Sequence, residues 1–267
     1  MYKRQILSKL EQSNLGCFIG KTCYNSFLYA DDLILLSITI SDLESLANIT
    51  ADGLTKLDLL INYGKSLCLR IGPRHKIVCK NISVNGQHIL WENKANYLGI
   101  TVSKGLQFSC DWQSAKAKFY MAVNSLLSKL RSMPPINLSL KLLSSICYPC
   151  LTYGLPAVSL TAKDRNSLSF AYNSPFCKVF NCKSLPVIEY CQYFCNVLPF
   201  SALHDFRRYC FLIKLLRRGV IKSSLPIDTD DLNDLAAIMS KYNISHTDSF
   251  VCARIKIWEV WQATLNL

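Results

Sequence analysis

The sequence predicts an α+β protein, with short strands dominating its first hundred residues and helices the remainder. Three observations carry this. Residues 26–36 are aliphatic and aromatic on both sides of Asp31-Asp32, as in two strands joined by a tight turn. Asn85-Gly86 separates two further short apolar runs. From Trp112 onward, apolar residues recur at helical spacing. With 267 residues, half of them hydrophobic, the chain has ample material for a core. A net charge of +12 favours a polyanionic partner, nucleic acid before membrane. No apolar run nears the ~18 residues of a membrane helix. The basic start, Met1-Tyr2-Lys3-Arg4-Gln5, leads into no apolar segment of the kind a secretory signal needs. These features predict an intracellular protein, nuclear or cytoplasmic, neither secreted nor membrane-bound. Its thirteen cysteines sit mostly among apolar neighbours and read as free thiols.

Ile6-Leu7-Ser8-Lys9-Leu10-Glu11 has helical spacing, and Gly16-Cys17-Phe18-Ile19-Gly20 reads as a strand entry. At the Asp31-Asp32 turn two carboxylates are brought together, and like charges at that range are costly unless a proton or cation intervenes. A hard divalent cation such as Mg²⁺ suits such a pair; an ordinary Asp-Asp turn is the plainer alternative. Ser41 with Glu44 forms a capping box, followed by an apolar stripe of Leu43, Leu46, Ala47, Leu54, Leu57 and Ile61. Gly53 weakens that helix, and Asn62-Tyr63-Gly64 closes it. A strand is expected from Leu67 to Ile71, then a hairpin over Ile82–Leu90 with Asn85-Gly86 in a type I′ turn. Asn96–Val102 reads as one more strand, where Gly99 suits either close backbone approach or a bulge. His75 and His88 lack ligand spacing and read as surface residues.

Between Trp112 and Leu130, Ala115, Phe119, Ala122, Leu126, Leu127 and Leu130 mark an apolar helix face, with Lys116, Lys118, Lys129 and Arg131 on the other sides. Met133-Pro134-Pro135 stops it, and a second apolar helix is expected from Leu138 to Tyr153. Beyond residue 160 several short helices are predicted, the clearest over Ser201–Arg218 with Arg207, Arg208, Lys214, Arg217 and Arg218. Asp228–Asp234 is acid-rich but lacks the glycine and closing glutamate of a calcium loop, so it reads as a helix N-terminus. Cys191, Cys195, His204 and Cys210 stand in the order of a CCHC zinc site; without a glycine to fold a knuckle they read as core residues.

Tyr29-Ala30-Asp31-Asp32, followed by an aliphatic run, resembles the catalytic hairpin of reverse transcriptases of non-LTR (LINE-type) retrotransposons. Asn62-Tyr63-Gly64-Lys65-Ser66 resembles that family's next motif, and Tyr97-Leu98-Gly99 its primer-grip strand. The resemblance covers roughly residues 5–155 and implies a partial palm over 1–105, antiparallel strands with a packed helix. Thumb-like helices over 106–160 and a helical carboxy-terminal extension over 161–267 would come next. It implies an RNA-directed DNA polymerase working by two-metal nucleotidyl transfer on dNTP, with an RNA template and DNA primer as partners. Asp31 and Asp32 would hold Mg²⁺ or Mn²⁺, and Lys65 would be a candidate general acid toward pyrophosphate. Tyr29 and Ala30 would lie beside primer or nucleotide, and Tyr97, Leu98 and Gly99 would hold the primer end.

One departure matters. The family places a third carboxylate on an earlier palm strand, whereas Glu11, in a helical setting, is the one acid before Tyr29. The expectation is therefore a carboxy-terminal polymerase fragment, inactive alone, with apolar surface exposed where further strands would pack. A non-catalytic nucleic-acid-binding relic of such an element is the alternative.

Overall fold

The computed structural model describes residues 2–130, 135–222 and 228–265. The chain is mixed α+β and divides into two compact units, Met1–Asp111 and Trp112–Leu267. The division falls six residues beyond the expected break at 105. Residues 106–111 close a sheet of the first unit, and residues 112–160 belong to one unit with the helices beyond them.

The first unit is built on two helices, α1 (Tyr2–Gln12) and α2 (Ile40–Thr55). Ile6 and Leu10 of α1 pack on Leu46 of α2. Gly53 permits this approach, since a Cβ there would lie 2.9 Å from Ile6 Cγ1. The glycine that weakens α2 as a helix is what lets α1 seat against it. Thr39 caps α2 by accepting from the Asp42 amide at 3.1 Å, two residues before the expected cap. Glu44 instead accepts the Ser83 amide at 2.8 Å and ties the helix to a hairpin. The helix also ends earlier than Asn62-Tyr63-Gly64 predicts: Asp58 turns left-handed (φ 55°) and the Leu59 amide bonds back to the Leu54 carbonyl at 3.0 Å.

Two hairpins lie between the helices, β1 (Cys17–Ile19) with β2 (Thr22–Tyr24), and β3 (Ser26–Tyr29) with β4 (Asp32–Leu35). Buried Asn25 fastens them to α1 and to the turn after it, donating from Nδ2 to the Leu10 and Leu15 carbonyls at 2.6 and 3.0 Å. The expected strand at Leu67–Ile71 shortens to β5 (Cys68–Leu69). After it, β6 (Ile82–Val84) and β7 (Gln87–Ile89) meet at Asn85 and Gly86, both with positive φ, the I′ geometry predicted from that pair. Parallel pairing joins β5 to β8 (Trp91–Glu92). The unit closes with β9 (Lys94–Tyr97), β10 (Ile100–Ser103) and β11 (Ser109–Asp111), an antiparallel sheet ordered β11-β10-β9.

The second unit is helical throughout its described residues. Helix α3 (Gln113–Lys129) ends before the expected stop; Arg131, Met133 and Pro134 lie outside the described residues, and Pro135 precedes α4 (Ile136–Leu142). The helix expected to Tyr153 is broken by a π-turn, Leu143–Cys147, before α5 (Tyr148–Thr152). Pro149 is the physical reason, because it cannot donate into the preceding turn. Helices α6 (Ala162–Val179), α7 (Leu185–Phe194), α8 (Phe200–Lys222), α9 (Thr229–Lys241) and α10 (Phe250–Thr264) complete the unit. Stacked rings of Phe119, Tyr148 and Tyr172 run from α3 through α5 to α6, and the Tyr172 hydroxyl donates to the Leu198 carbonyl at 3.0 Å. Residues 112–160 and the helices beyond them thus share one core. A larger apolar cluster joins α8, α9 and α10 through Tyr209, Leu212, Ile238, Ile257 and Trp261. Among the described residues no helix is long and apolar enough to cross a membrane.

Candidate active site

The register of β3 and β4 is Ser26↔Leu35, Phe27↔Ile34, Leu28↔Leu33 and Tyr29↔Asp32. Ala30 and Asp31 are therefore the two loop residues of the tightest common hairpin. Ala30 has φ 51°. An alanine held there costs about 1–2 kcal/mol, which the surrounding hairpin must offset. Opposed residues share a face, so Phe27, Tyr29, Asp32 and Ile34 lie together on one side. The other side carries Ser26, Leu28, Leu33 and Leu35, and Leu35 packs against the α2 core. The face away from α2 is open: Phe27 is 37% and Tyr29 62% exposed, and Asp31 and Asp32 are exposed too. No third strand joins this pair among the described residues.

The site residues expected from sequence all fall in the first unit, at separate turns. Lys65 is exposed and sits just past an Asn62-centred turn. There the Lys65 and Ser66 amides donate to the Asn62 carbonyl at 3.1 and 2.9 Å, and the Lys65 amide also reaches Asn62 Oδ1 at 3.2 Å. The Asn-x-x-Lys-Ser string is thus one hydrogen-bonded turn, not a helix end. Tyr97, Leu98 and Gly99 do not form a continuous strand. Tyr97 pairs with Ile100, and Leu98 (φ 47°) with Gly99 (φ 81°) makes a two-residue loop of the I′ sign. The strand-forming run hides this turn, because leucine gives no turn signal.

The carboxylates of Asp31 and Asp32 are suitable oxygen donors for a hard divalent cation at an exposed tip. Two carboxylates can share such an ion with water but cannot enclose a pair of ions. Among the described residues no group of three His, Cys, Asp or Glu side chains could hold a metal. Cys191, Cys195, His204 and Cys210 form no such group either. Cys191 is on α7, with Cys195 at its end, and their thiols are pushed up by burial and by neighbouring thiols. Cys210 packs against the α8–α10 core, and buried His204 sits with Nδ1 3.6 Å from Asp205. All thirteen cysteines are free thiols.

Sequence reasoning missed an ionic core in the second unit. Asp205 accepts from Lys241 Nζ at 2.8 Å and from the Tyr242 hydroxyl at 2.9 Å. Burial pushes its carboxyl up, but His204, Lys241 and Tyr242 outweigh that and hold it at about 2. Arg208, one of five basic residues noted on the predicted Ser201–Arg218 helix, is buried and donates to the Pro156 carbonyl at 2.7 Å, to Asp234 at 3.1 Å and to Asp231. The acid-rich start of α9 thus neutralises Arg208, with Asp228 as the cap. The side chain of Arg218 lies outside the described residues.

No protein-family model, curated protein or solved structure matches the chain.

Proposed function

We propose that the chain carries part of the active centre of an RNA-directed DNA polymerase of the non-LTR retrotransposon type, with Asp31 and Asp32 as two of its metal-binding carboxylates. In this reading residues 1–111 correspond to part of a palm and the helices after them to a thumb and its extension. The observation that carries it is the hairpin tip, one acid on a strained two-residue loop and a second at the start of the next strand, beside an exposed aromatic face. Bound Mg²⁺ or Mn²⁺ would supply Lewis-acid stabilisation of a nucleotide's phosphates. Phe27 and Tyr29, on the face of Asp32, offer rings against which a primer terminus or nucleotide can rest. Lys65 is the candidate proton donor to pyrophosphate, and the Leu98-Gly99 tip the candidate primer support. Because the described residues hold no third ligand beside the pair, the chain by itself does not extend a primer.

Paramagnetic broadening by Mn²⁺ tests this directly. The Tyr29–Leu33 amides should broaden first, with a Kd of roughly 1 mM, as expected for so open a site. Asp31→Asn with Asp32→Asn should abolish the broadening. Broadening centred elsewhere, or unchanged in the double variant, refutes the assignment. Primer extension with Mg²⁺ should give no product from the chain alone. A non-catalytic nucleic-acid-binding role is the second reading, favoured by the +12 net charge. It predicts binding to nucleic acid with no Mn²⁺ dependence.

A further inference from the structure

The positive charge is not spread along the chain. From Trp112 to Ile188 there are nine lysines and arginines against one acid, Asp164, a stretch that holds +8 of the +12 net charge. From Glu189 to Leu267 nine bases meet eight acids. The structure gathers part of the first stretch along two neighbouring helices. Gln113, Lys116, Ala117, Tyr120, Ser167 and Phe170 line a groove of about 410 Å³ between α3 and α6. No acid is among them. Lys116 Nζ donates to the Ser167 hydroxyl at 2.7 Å, and Lys178 Nζ reaches Asn124 Oδ1. Both bridges cross between the helices and both use neutral acceptors, so neither lysine's charge is cancelled by its partner. They lie 8 and 11 residues apart on the two helices, or roughly 12–16 Å along the axes. Phe170 is 74% exposed at this groove, while Tyr120 is half-buried beside it. An open phenyl ring on the same helix pair as two ammonium groups with neutral partners offers both halves of what an unpaired strand presents, base faces and phosphates. A duplex presents its phosphates but keeps its base faces stacked, and would leave Phe170 unused.

We propose that the α3–α6 groove is a seat for single-stranded nucleic acid, with bases stacking on Phe170 and phosphates held by Lys116 and Lys178. The seat is independent of the Asp31-Asp32 hairpin and needs no metal. The test is fluorescence anisotropy of the full chain with a labelled oligothymidylate, its uridylate counterpart and a duplex of equal length, across a salt series. Binding to the single strands should exceed binding to the duplex, with log K falling linearly in log salt. Phe170→Ala should weaken single-strand binding about tenfold at unchanged salt slope. Lys116→Gln with Lys178→Gln, which keep polar partners for Ser167 and Asn124, should flatten that slope by about 1.4. EDTA should leave this binding unchanged while it removes any Mn²⁺ broadening at the hairpin, so failure of the hairpin assignment and failure of this one give different results. Tighter duplex binding, variants indistinguishable from the parent chain at an unchanged melting temperature, or equal displacement by a polyglutamate peptide would each overturn the proposal.

Discussion

Among the described residues, the non-glycine residues of the helical unit with left-handed backbone are Asn181, Asn196 and Asn243. In the first unit they are Asn14, Ala30, Asp58, Asn85 and Leu98. Asparagine visits this region at small cost; alanine and leucine do not. Ala30 and Leu98 also lie at the tips of two hairpins that hold candidate site residues named from sequence. Charge is distributed the other way: Asp205, Arg208 and His204 are buried in the helical unit, while the buried polar side chains of the first unit, among described residues, are Asn25 and Thr50. One unit stores backbone strain at exposed tips and the other stores electrostatic energy inside. The contrast teaches where each tolerates change. Strain at a tip is relieved locally, whereas an unpaired buried charge has nowhere to go.

The largest effect should come from breaking the ionic core. Arg208→Met leaves the Pro156 carbonyl without its donor and Asp231 and Asp234 facing each other across the vacated position. Those acids are 27% and 49% exposed and recover some hydration, so the expected loss is about 3 kcal/mol, not the upper end for a buried pair. Urea denaturation followed by tryptophan fluorescence reads it, because Trp258 and Trp261 report on the α8–α10 core. A loss below about 1 kcal/mol would mean that the Arg208 pairing adds little over a well-packed side chain.

Acid should expose the other half of that core. The Asp205 carboxyl is held at about 2 in the fold, against roughly 3.9 in an unfolded chain. A depressed carboxylate contributes stability that is complete above the unfolded value and lost as pH falls through the folded one. Stability should therefore drop by about 2 kcal/mol between roughly pH 5 and pH 2. Asp205→Asn should remove that part of the slope. An unchanged acid slope in the variant would place the proton uptake elsewhere.

These two sites also mark what the sequence could not disclose. The Asn85-Gly86 turn was legible because its residues state their backbone angles, and α8 because its period persists over six turns. The Asp31-Asp32 turn was legible because its flanks are strongly strand-forming. Leu98 carries no such mark, so the Tyr97–Ile100 turn read as strand. Arg208 and Lys214 stand on one helix with the same charge, yet Arg208 is buried against acids from α9 and Lys214 is exposed over the Phe250 ring. Lys214 lies about 120° round the helix from Arg208, but which acids meet the buried face is set by the packing of α8 on α9, and periodicity within one helix does not encode its neighbour. The cap at Thr39 was missed for a similar reason: Glu44 serves either a capping box or the distant Ser83 amide, and tertiary structure chose the latter.

The smallest expected effect bears most directly on the candidate site. Ala30→Gly removes the steric cost of φ 51° while adding freedom to the unfolded chain. The net gain should be about 0.5–1 kcal/mol, read by thermal or urea unfolding. Ala30→Val, whose branched Cβ fits this region worst, should instead destabilise by a similar amount or more. If the strain serves to hold Asp31 and Asp32 in one arrangement, the glycine variant should bind Mn²⁺ about threefold more weakly although it is more stable, because a freer tip must be ordered when the ion arrives. Stability and affinity moving in opposite directions would tie the left-handed alanine to function. Movement together, or a glycine variant that loses stability, would make Ala30 an ordinary turn residue and remove the backbone argument for the site.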